Sequence, residues 1–146
     1  MPVEPVPKGY HSVTPYLLVH GAAELIEFLE KTFEAQVVER HARPDGTVMH
    51  AQVRVGDSLI MLGDPREPWT PMPTTLYVYL KDVDAAYGRA LHAGGVSVMD
   101  LTNHFYGDRM GGVKDPFGNI WWIATHVEDV SPEEMKRRTA ELYKKQ

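Results

Sequence analysis

Histidines are the side chains best able to do chemistry in this chain. There are seven of them and no cysteine. Without cysteine the chain has no disulfides, thiolate nucleophiles or Cys-ligated metals, so a metal would need His, Asp or Glu ligands. The histidines are scattered and no pair has the helical H-E-x-x-H spacing, which favours surface or core roles for most of them. They are His11, His20, His41, His50, His92, His104 and His126.

His50 is the candidate catalytic residue because of the strand in which it lies. Polar and apolar residues alternate through this segment, as in a strand with one buried face. We predict that His50, Gln52 and Arg54 lie on the open face, and that a helix covers Met49, Ala51, Val53 and Val55. A histidine on an open sheet face is a possible general base, although a hydrogen-bonded structural histidine is the commoner case.

Composition limits the classes of partner. The formal net charge is −5 and the pI is about 5.8, which disfavours nucleic acid and anionic membranes, because both require a basic surface. No apolar run approaches the roughly 20 residues that span a bilayer. The N-terminus is Pro-rich and polar and lacks the apolar centre of a signal peptide. We therefore predict a cytoplasmic protein.

The order strand, helix, strand, strand, strand occurs twice, about 60 residues apart. Apolar periodicity predicts helices over 22–33 and 83–93, and strands over 13–19, 36–42, 49–55, 58–62, 75–80, 96–99, 106–114 and 119–125. Ser131, Pro132 and Glu134 form the start of a third helix. The predicted organisation is one domain: an extension (1–11), a first βαβββ module (12–63), a Pro-rich connector (64–74), a second module (75–128) and a C-terminal helix (129–146).

Five segments, in this order, make the chain resemble the vicinal oxygen chelate superfamily, which includes glyoxalase I, bleomycin-resistance proteins and extradiol dioxygenases. The resemblance is closest to a bacterial glyoxalase-like subgroup. It implies an α+β fold in which two βαβββ modules form a cupped mixed sheet with helices on its outer face, plus the C-terminal helix. The segments are Pro15-Tyr16-Leu17, the stretch from Pro44-Asp45-Gly46 to Gly56-Asp57-Ser58, Lys81-Asp82-Val83-Asp84-Ala85, Tyr106-Gly107-Asp108-Arg109 and Asp115-Pro116-Phe117-Gly118-Asn119-Ile120-Trp121.

Enzymes of this superfamily hold a metal with one His, Glu or Gln on the first and last strand of each module. The matching positions here are Thr14, Met61, Thr75 and Trp122. None of them supplies an imidazole or a carboxylate, which divalent metals require. We therefore expect no metal cofactor at these positions.

The same strand parity predicts the lining of a cavity. It would be aromatic with a few polar groups, which is typical of small-molecule pockets. Arg109 would pair with an anionic group or, equally, form a structural ion pair, and Asp115 and Asn119 are expected to serve only the turn. The candidate ligand-binding residues are Tyr16, His50, Arg54, Met61, Tyr77, Tyr79, Arg109 and Trp122.

Three functions remain open. The favoured one is a binding protein without the metal site that sequesters a small aromatic molecule as a homodimer, and in that case the chain is not an enzyme. The alternative is a divergent lyase or isomerase of glyoxalase type, or a dioxygenase-like enzyme, using His50 or a divalent metal at an unrecognised site. The third is a structural or regulatory dimer with a filled cavity, because aromatic strand residues often lie in cores or interfaces.

Overall fold

The computed structural model describes residues 2–144, so Met1, Lys145 and Gln146 of the predicted terminal segments lie outside the described residues. The first module comprises β1 (Tyr16–Leu18), α1 (Ala22–Phe33), β2 (Gln36–Ala42), β3 (Val48–Val55) and β4 (Ser58–Gly63). The second comprises β5 (Thr75–Tyr79), α2 (Val83–His92), β6 (Val96–Asn103), β7 (Asp108–Lys114) and β8 (Ile120–His126), and α3 (Pro132–Lys144) follows. The α+β fold with two βαβββ modules and a C-terminal helix is confirmed.

Each module forms its own four-stranded mixed sheet with the same topology. The orders are β1-β4-β3-β2 and β5-β8-β7-β6. The first strand of each module pairs in parallel with the last, and the other pairs are antiparallel. Within residues 2–144 these are two separate sheets, so the cupped sheet consists of two halves and not of one continuous ladder.

The two helices join the modules. α1 packs on β3, α2 packs on β6, β7 and β8, and α1 and α2 contact each other. Phe33 of α1 lies 5.4 Å from Trp121 of β8 between ring centroids, and Arg89 Nε of α2 donates to the carbonyl of Thr32. One apolar core therefore spans both modules, and the sheet faces that the helices do not cover are left open.

Three strand boundaries differ from the prediction by two residues or more. β1 begins at Tyr16 and not at residue 13, because ladder pairing starts only where the Pro15 carbonyl accepts from the Met61 amide. β6 continues to Asn103, four residues further than predicted. β7 begins at Asp108, because the preceding residues form a turn in which Gly107 has a φ of 104°, a conformation that glycine adopts without strain.

Met49 was wrongly placed beneath a helix. Its neighbour Val48 is fully buried, whereas Met49 is 50% exposed. The β2–β3 pairing passes from His41↔His50 to Ala42↔Val48, so Met49 has no partner and the alternation shifts at this bulge. Val48 therefore occupies the core position and Met49 belongs to the open side.

A buried aspartate organises the turn before β8. One Asp115 oxygen accepts from the Phe117 and Asn119 amides, and the other accepts from Asn119 Nδ2 and Trp121 Nε1. Asn119 in turn accepts from the Thr74 amide through its Oδ1. The expectation that Asp115 and Asn119 serve only the turn was too narrow, since they also hold Trp121 in the core and fix the residue before β5.

Asp64 has a matching role in the first module. Its Oδ1 accepts from the Gly21 and Ala22 amides at 2.8 and 3.2 Å, and its Oδ2 accepts from the Val48 amide at 2.8 Å. The N-cap of α1, Gly21, has no side chain that could cap the helix. Asp64 therefore satisfies the first turn of α1 from a distant part of the chain, which places its negative charge at the positive end of the helix.

Candidate functional site

A cleft lies between the Pro-rich connector and the open side of the first sheet. The connector folds back along the edge strand β1, because the Met72 amide donates to the Leu18 carbonyl. The cleft has a volume of about 560 Å³, which is within the range of small-molecule sites. Its lining is mainly apolar and includes two arginines and one carboxylate. The residues are Tyr16, Leu18, Arg43, Met49, Asp64, Arg66, Pro68, Trp69, Thr70, Met72 and Thr74.

His50 lies beside this cleft in a chain of polar contacts. Tyr16 Oη, on the cleft wall, is 3.3 Å from His50 Nδ1. His50 Nε2 is 3.4 Å from Gln52 Nε2, and Gln52 also bonds to Glu39 and Tyr10. A general base is normally oriented by a third group. Here those groups are a phenol and an amide, and within residues 2–144 no carboxylate bonds directly to the His50 ring.

A second polar network lies on the open face of the second sheet, around Asp108. This carboxylate is only 2% exposed. Its Oδ2 accepts from the Tyr77 and Tyr79 hydroxyls at 2.6 and 2.7 Å, and its Oδ1 is 2.8 Å from His126 Nδ1. His126 Nε2 is 2.7 Å from Asp129 Oδ1. The network therefore holds a buried carboxylate between two phenols and an imidazole.

The hydrogen bonds of this network shift the pKa values of its members. Burial alone would raise the pKa of Asp108, but the bonds from Tyr77, His126 and Tyr79 outweigh it and hold the pKa below its ordinary value. The bonds to Asp108 and Asp129 raise the pKa of His126. Burial and the bond to Asp108 raise the pKa of Tyr77. At neutral pH the network is an ionised carboxylate, two neutral phenols and an imidazole whose protonated form is favoured by both neighbouring carboxylates.

His126 should make stability depend on pH. Because its pKa is raised on folding, its contribution is complete below the ordinary pKa of about 6.5 and is lost as the pH rises through the higher folded value. We expect the melting temperature of the protein, relative to that of His126→Gln, to fall as the pH rises from about 6.5 into the alkaline range. The other histidines are common to both proteins and cancel in the comparison. A difference that stays constant over this range would contradict the assignment.

The structure brings some of the predicted site residues together and separates others. Tyr16 and His50 are neighbours, and Arg54 lies further along the same face of β3. Tyr77 and Tyr79 are neighbours on the other sheet, 5.1 Å apart between ring centroids. Within one chain the two groups lie on different sheets: Tyr16 lines the cleft under the connector, whereas Tyr77 and Tyr79 line a second cleft between the two modules.

Arg109 is placed away from both groups. Its guanidinium forms a two-pronged ion pair with Asp84 of α2, at 2.9 and 3.1 Å, and also donates to Asn103 Oδ1. Arg109 therefore lies on the helix-covered side of the sheet. Of the two roles predicted for it, this position favours the structural ion pair over the binding of an anionic ligand. Trp122 lies over Gly112, where a Cβ would overlap the indole ring, and so covers the open face of the second sheet.

The positions that match the superfamily's metal ligands do not suit a metal. Met61 lies on β4, Thr75 on β5 and Trp122 on β8, whereas Thr14 precedes β1. Their side chains offer hydroxyls, a thioether and an indole, which form no divalent metal site. Across residues 2–144, no three His, Cys, Asp or Glu side chains are grouped to hold an ion. The donor set does not fit the superfamily's metal.

Several residues of these sites were missed in the sequence. Met49 was assigned to the core, and Arg43 and Arg66 carried no recognisable signal in turn and connector segments. Trp69 stood out only as an aromatic residue among prolines. Tyr106 and His126, which adjoin the Asp108 network, come from a turn and a strand end, and their positions depend on how β5, β7 and β8 pair.

The two βαβββ modules define the fold class, and the comparisons with known proteins identify the same class. Residues 10–123 match the Glyoxalase/Bleomycin resistance protein/Dioxygenase superfamily, and the chain belongs to this superfamily. It is 36% identical over 136 residues to an uncharacterised protein of Mycobacterium bovis, a match that covers 86% of this chain and 90% of that one. None of the helices in residues 2–144 has the length and apolar character to cross a membrane.

Solved structures share the fold at low sequence identity. TioX from Micromonospora sp. ML1 superposes with a TM-score of 0.68 and 24% identity, over 80% of this chain and 99% of TioX. The fosfomycin resistance protein FosX from Listeria monocytogenes superposes with a TM-score of 0.60 and 13% identity, over 86% and 97% of the two chains. At these identities the likeness concerns the fold alone.

Proposed function

We propose that the chain is a small-molecule-binding protein of the superfamily that acts without the superfamily's metal and sequesters an aromatic ligand. The cleft under the Pro-rich connector carries this proposal. Its walls are aromatic and sulfur-containing, through Tyr16, Trp69, Met49 and Met72, and such side chains favour flat apolar ligands. Trp69 is 71% exposed, so its indole is available to stack.

A neutral aromatic probe tests this proposal. We expect N-phenyl-1-naphthylamine to give a saturable fluorescence increase with one site per chain and a dissociation constant in the micromolar range. Trp69→Ala should weaken binding about five- to tenfold, because one aromatic contact is lost. Tyr143→Ala removes an exposed aromatic side chain from α3 and should leave binding unchanged. No saturable binding by the parent protein would count against the proposal.

A metal-free enzyme that uses His50 as a base is the second candidate. The observation in its favour is the contact between His50 and Tyr16 on the cleft wall. Metal analysis of protein purified without chelator addresses the metal-dependent form of this alternative. About one tightly bound divalent ion per chain would favour a glyoxalase-type lyase or isomerase over a binding protein.

We also propose a homodimer. The helices join the modules, so the open face of the second sheet exposes Tyr77, Tyr79, Val98 and Met99 to solvent in a single chain. A second copy would bury these apolar side chains. Light scattering should give about 33 kDa, twice the 16.5 kDa of the chain. A mass of one chain at tens of micromolar would contradict the proposal.

A further inference from the structure

We infer that the ligand of the cleft is a planar aromatic anion, and that Arg43 and Arg66 are its charge partners. This inference rests on the proposed function and narrows it to a chemical class. Both guanidinium groups line the same cleft as the aromatic side chains. A ligand that fits the whole lining would therefore place a flat ring near Trp69 and Tyr16 and a carboxylate or similar group near the arginines.

Arg43 has unused capacity for hydrogen bonding. It is partly buried; its Nη1 donates to Thr47 Oγ1 at 3.2 Å and its Nη2 to the Asp64 carbonyl at 3.1 Å. Its Nε is buried and has no partner among the described residues. A guanidinium has five N–H donors and binds carboxylates through two parallel bonds. The Nη1 and Nη2 groups of Arg43 each retain one N–H donor for an anion, and their present partners hold the guanidinium in place.

The positive charge of Arg43 is only partly compensated. It is one of the causes that lower the pKa of Asp45, but none of the ion pairs between residues 2 and 144 includes Arg43 or Arg66. A partly buried cation without a direct ion pair is unfavourable, and a bound anion would relieve that cost. Arg66 is exposed and lies on the connector, where it can approach the same group from the other wall.

The carboxylate in the lining does not cancel this preference. Both oxygens of Asp64 accept from backbone amides, two of them at the start of α1. The helix terminus and these amides offset its charge. The charged groups of the lining that remain for a ligand are the two guanidinium groups. The balance of the cleft therefore favours a negative ligand.

A matched pair of probes isolates the charge. Calorimetric titration should show 2-naphthoate binding about tenfold tighter than 2-naphthamide, which has nearly the same shape and no charge. Arg43→Gln and Arg66→Gln should each reduce this ratio, and the double variant should bring it to about one. Arg40→Gln, on the exposed part of β2, is the control and should keep the ratio. Added salt should weaken the binding of 2-naphthoate and leave the binding of 2-naphthamide unchanged.

The outcomes separate this inference from the proposed function. Equal affinities for the two probes, in a protein that binds N-phenyl-1-naphthylamine, would overturn the anion inference and leave the binding function standing. If the ratio of the two affinities were unchanged by both arginine substitutions, the inference would also be overturned, because other residues would then bind the carboxylate. Arg66→Gln alters an exposed side chain, so it remains informative even if Arg43→Gln unfolds. If neither naphthyl probe nor the naphthylamine binds, both proposals fail.

Discussion

Replacing Asp115 by Ala is expected to lower the free energy of unfolding by about 3–5 kcal/mol. The carboxylate accepts four hydrogen bonds from groups in and beside the turn before β8. Its removal leaves those donors without a partner, and each unsatisfied buried donor costs about 1–3 kcal/mol. Entry of water would recover part of that cost. Urea unfolding followed by circular dichroism measures the difference directly.

Asp45 provides the matched control. It is also an aspartate in a turn, and its Oδ1 accepts from the Thr47 amide and hydroxyl at 3.0 and 2.6 Å. Because it is exposed to solvent, water replaces the lost bonds in Asp45→Ala, and we expect a much smaller change. Asp115→Asn keeps one acceptor oxygen and should fall between the parent and Asp115→Ala. A loss below about 1 kcal/mol for Asp115→Ala would show that the turn does not depend on this carboxylate.

The fold could be predicted because local patterns determine most of it. The amphipathic period of α1 gave its bounds, Ala22–Phe33, without error, and alternation located β3 and β8. The prediction failed where pairing overrides alternation. A single unpaired residue at Met49 moves Val48 into the core, and nothing in the local sequence marks that bulge.

The site was less accessible from the sequence because it is built by tertiary contacts. The cleft exists only because the connector returns along β1 through the Met72–Leu18 bridge. The four prolines of the connector predict an irregular segment but do not specify that path. The Asp108 network likewise depends on three strands meeting in one register. The sequence identified the tyrosines of β5 as candidate site residues, but it did not predict that they bond to Asp108.

Substitutions of the adjacent tryptophans Trp121 and Trp122 test which face of β8 is buried under the helices and which face is open. Trp121 is 1% exposed, contacts Phe33 of the other module and donates to Asp115. Trp122 is on the opposite face, partly exposed over Gly112. We expect Trp121→Ala to cost about 3–5 kcal/mol, as large-to-small changes in a core do. Trp122→Ala should lower the free energy of unfolding by about 1–2 kcal/mol, because folding buries less apolar area on this ring than on Trp121.

The two variants control each other, because they remove the same side chain from neighbouring positions of one strand. Equilibrium urea unfolding gives both free energies, and similar denaturant slopes would indicate that both variants unfold from a compact native state. If Trp122→Ala proved as costly as Trp121→Ala, Trp122 would be a core residue. The open face of the second sheet would then be a packed interior, and a second copy would have no surface there to bind.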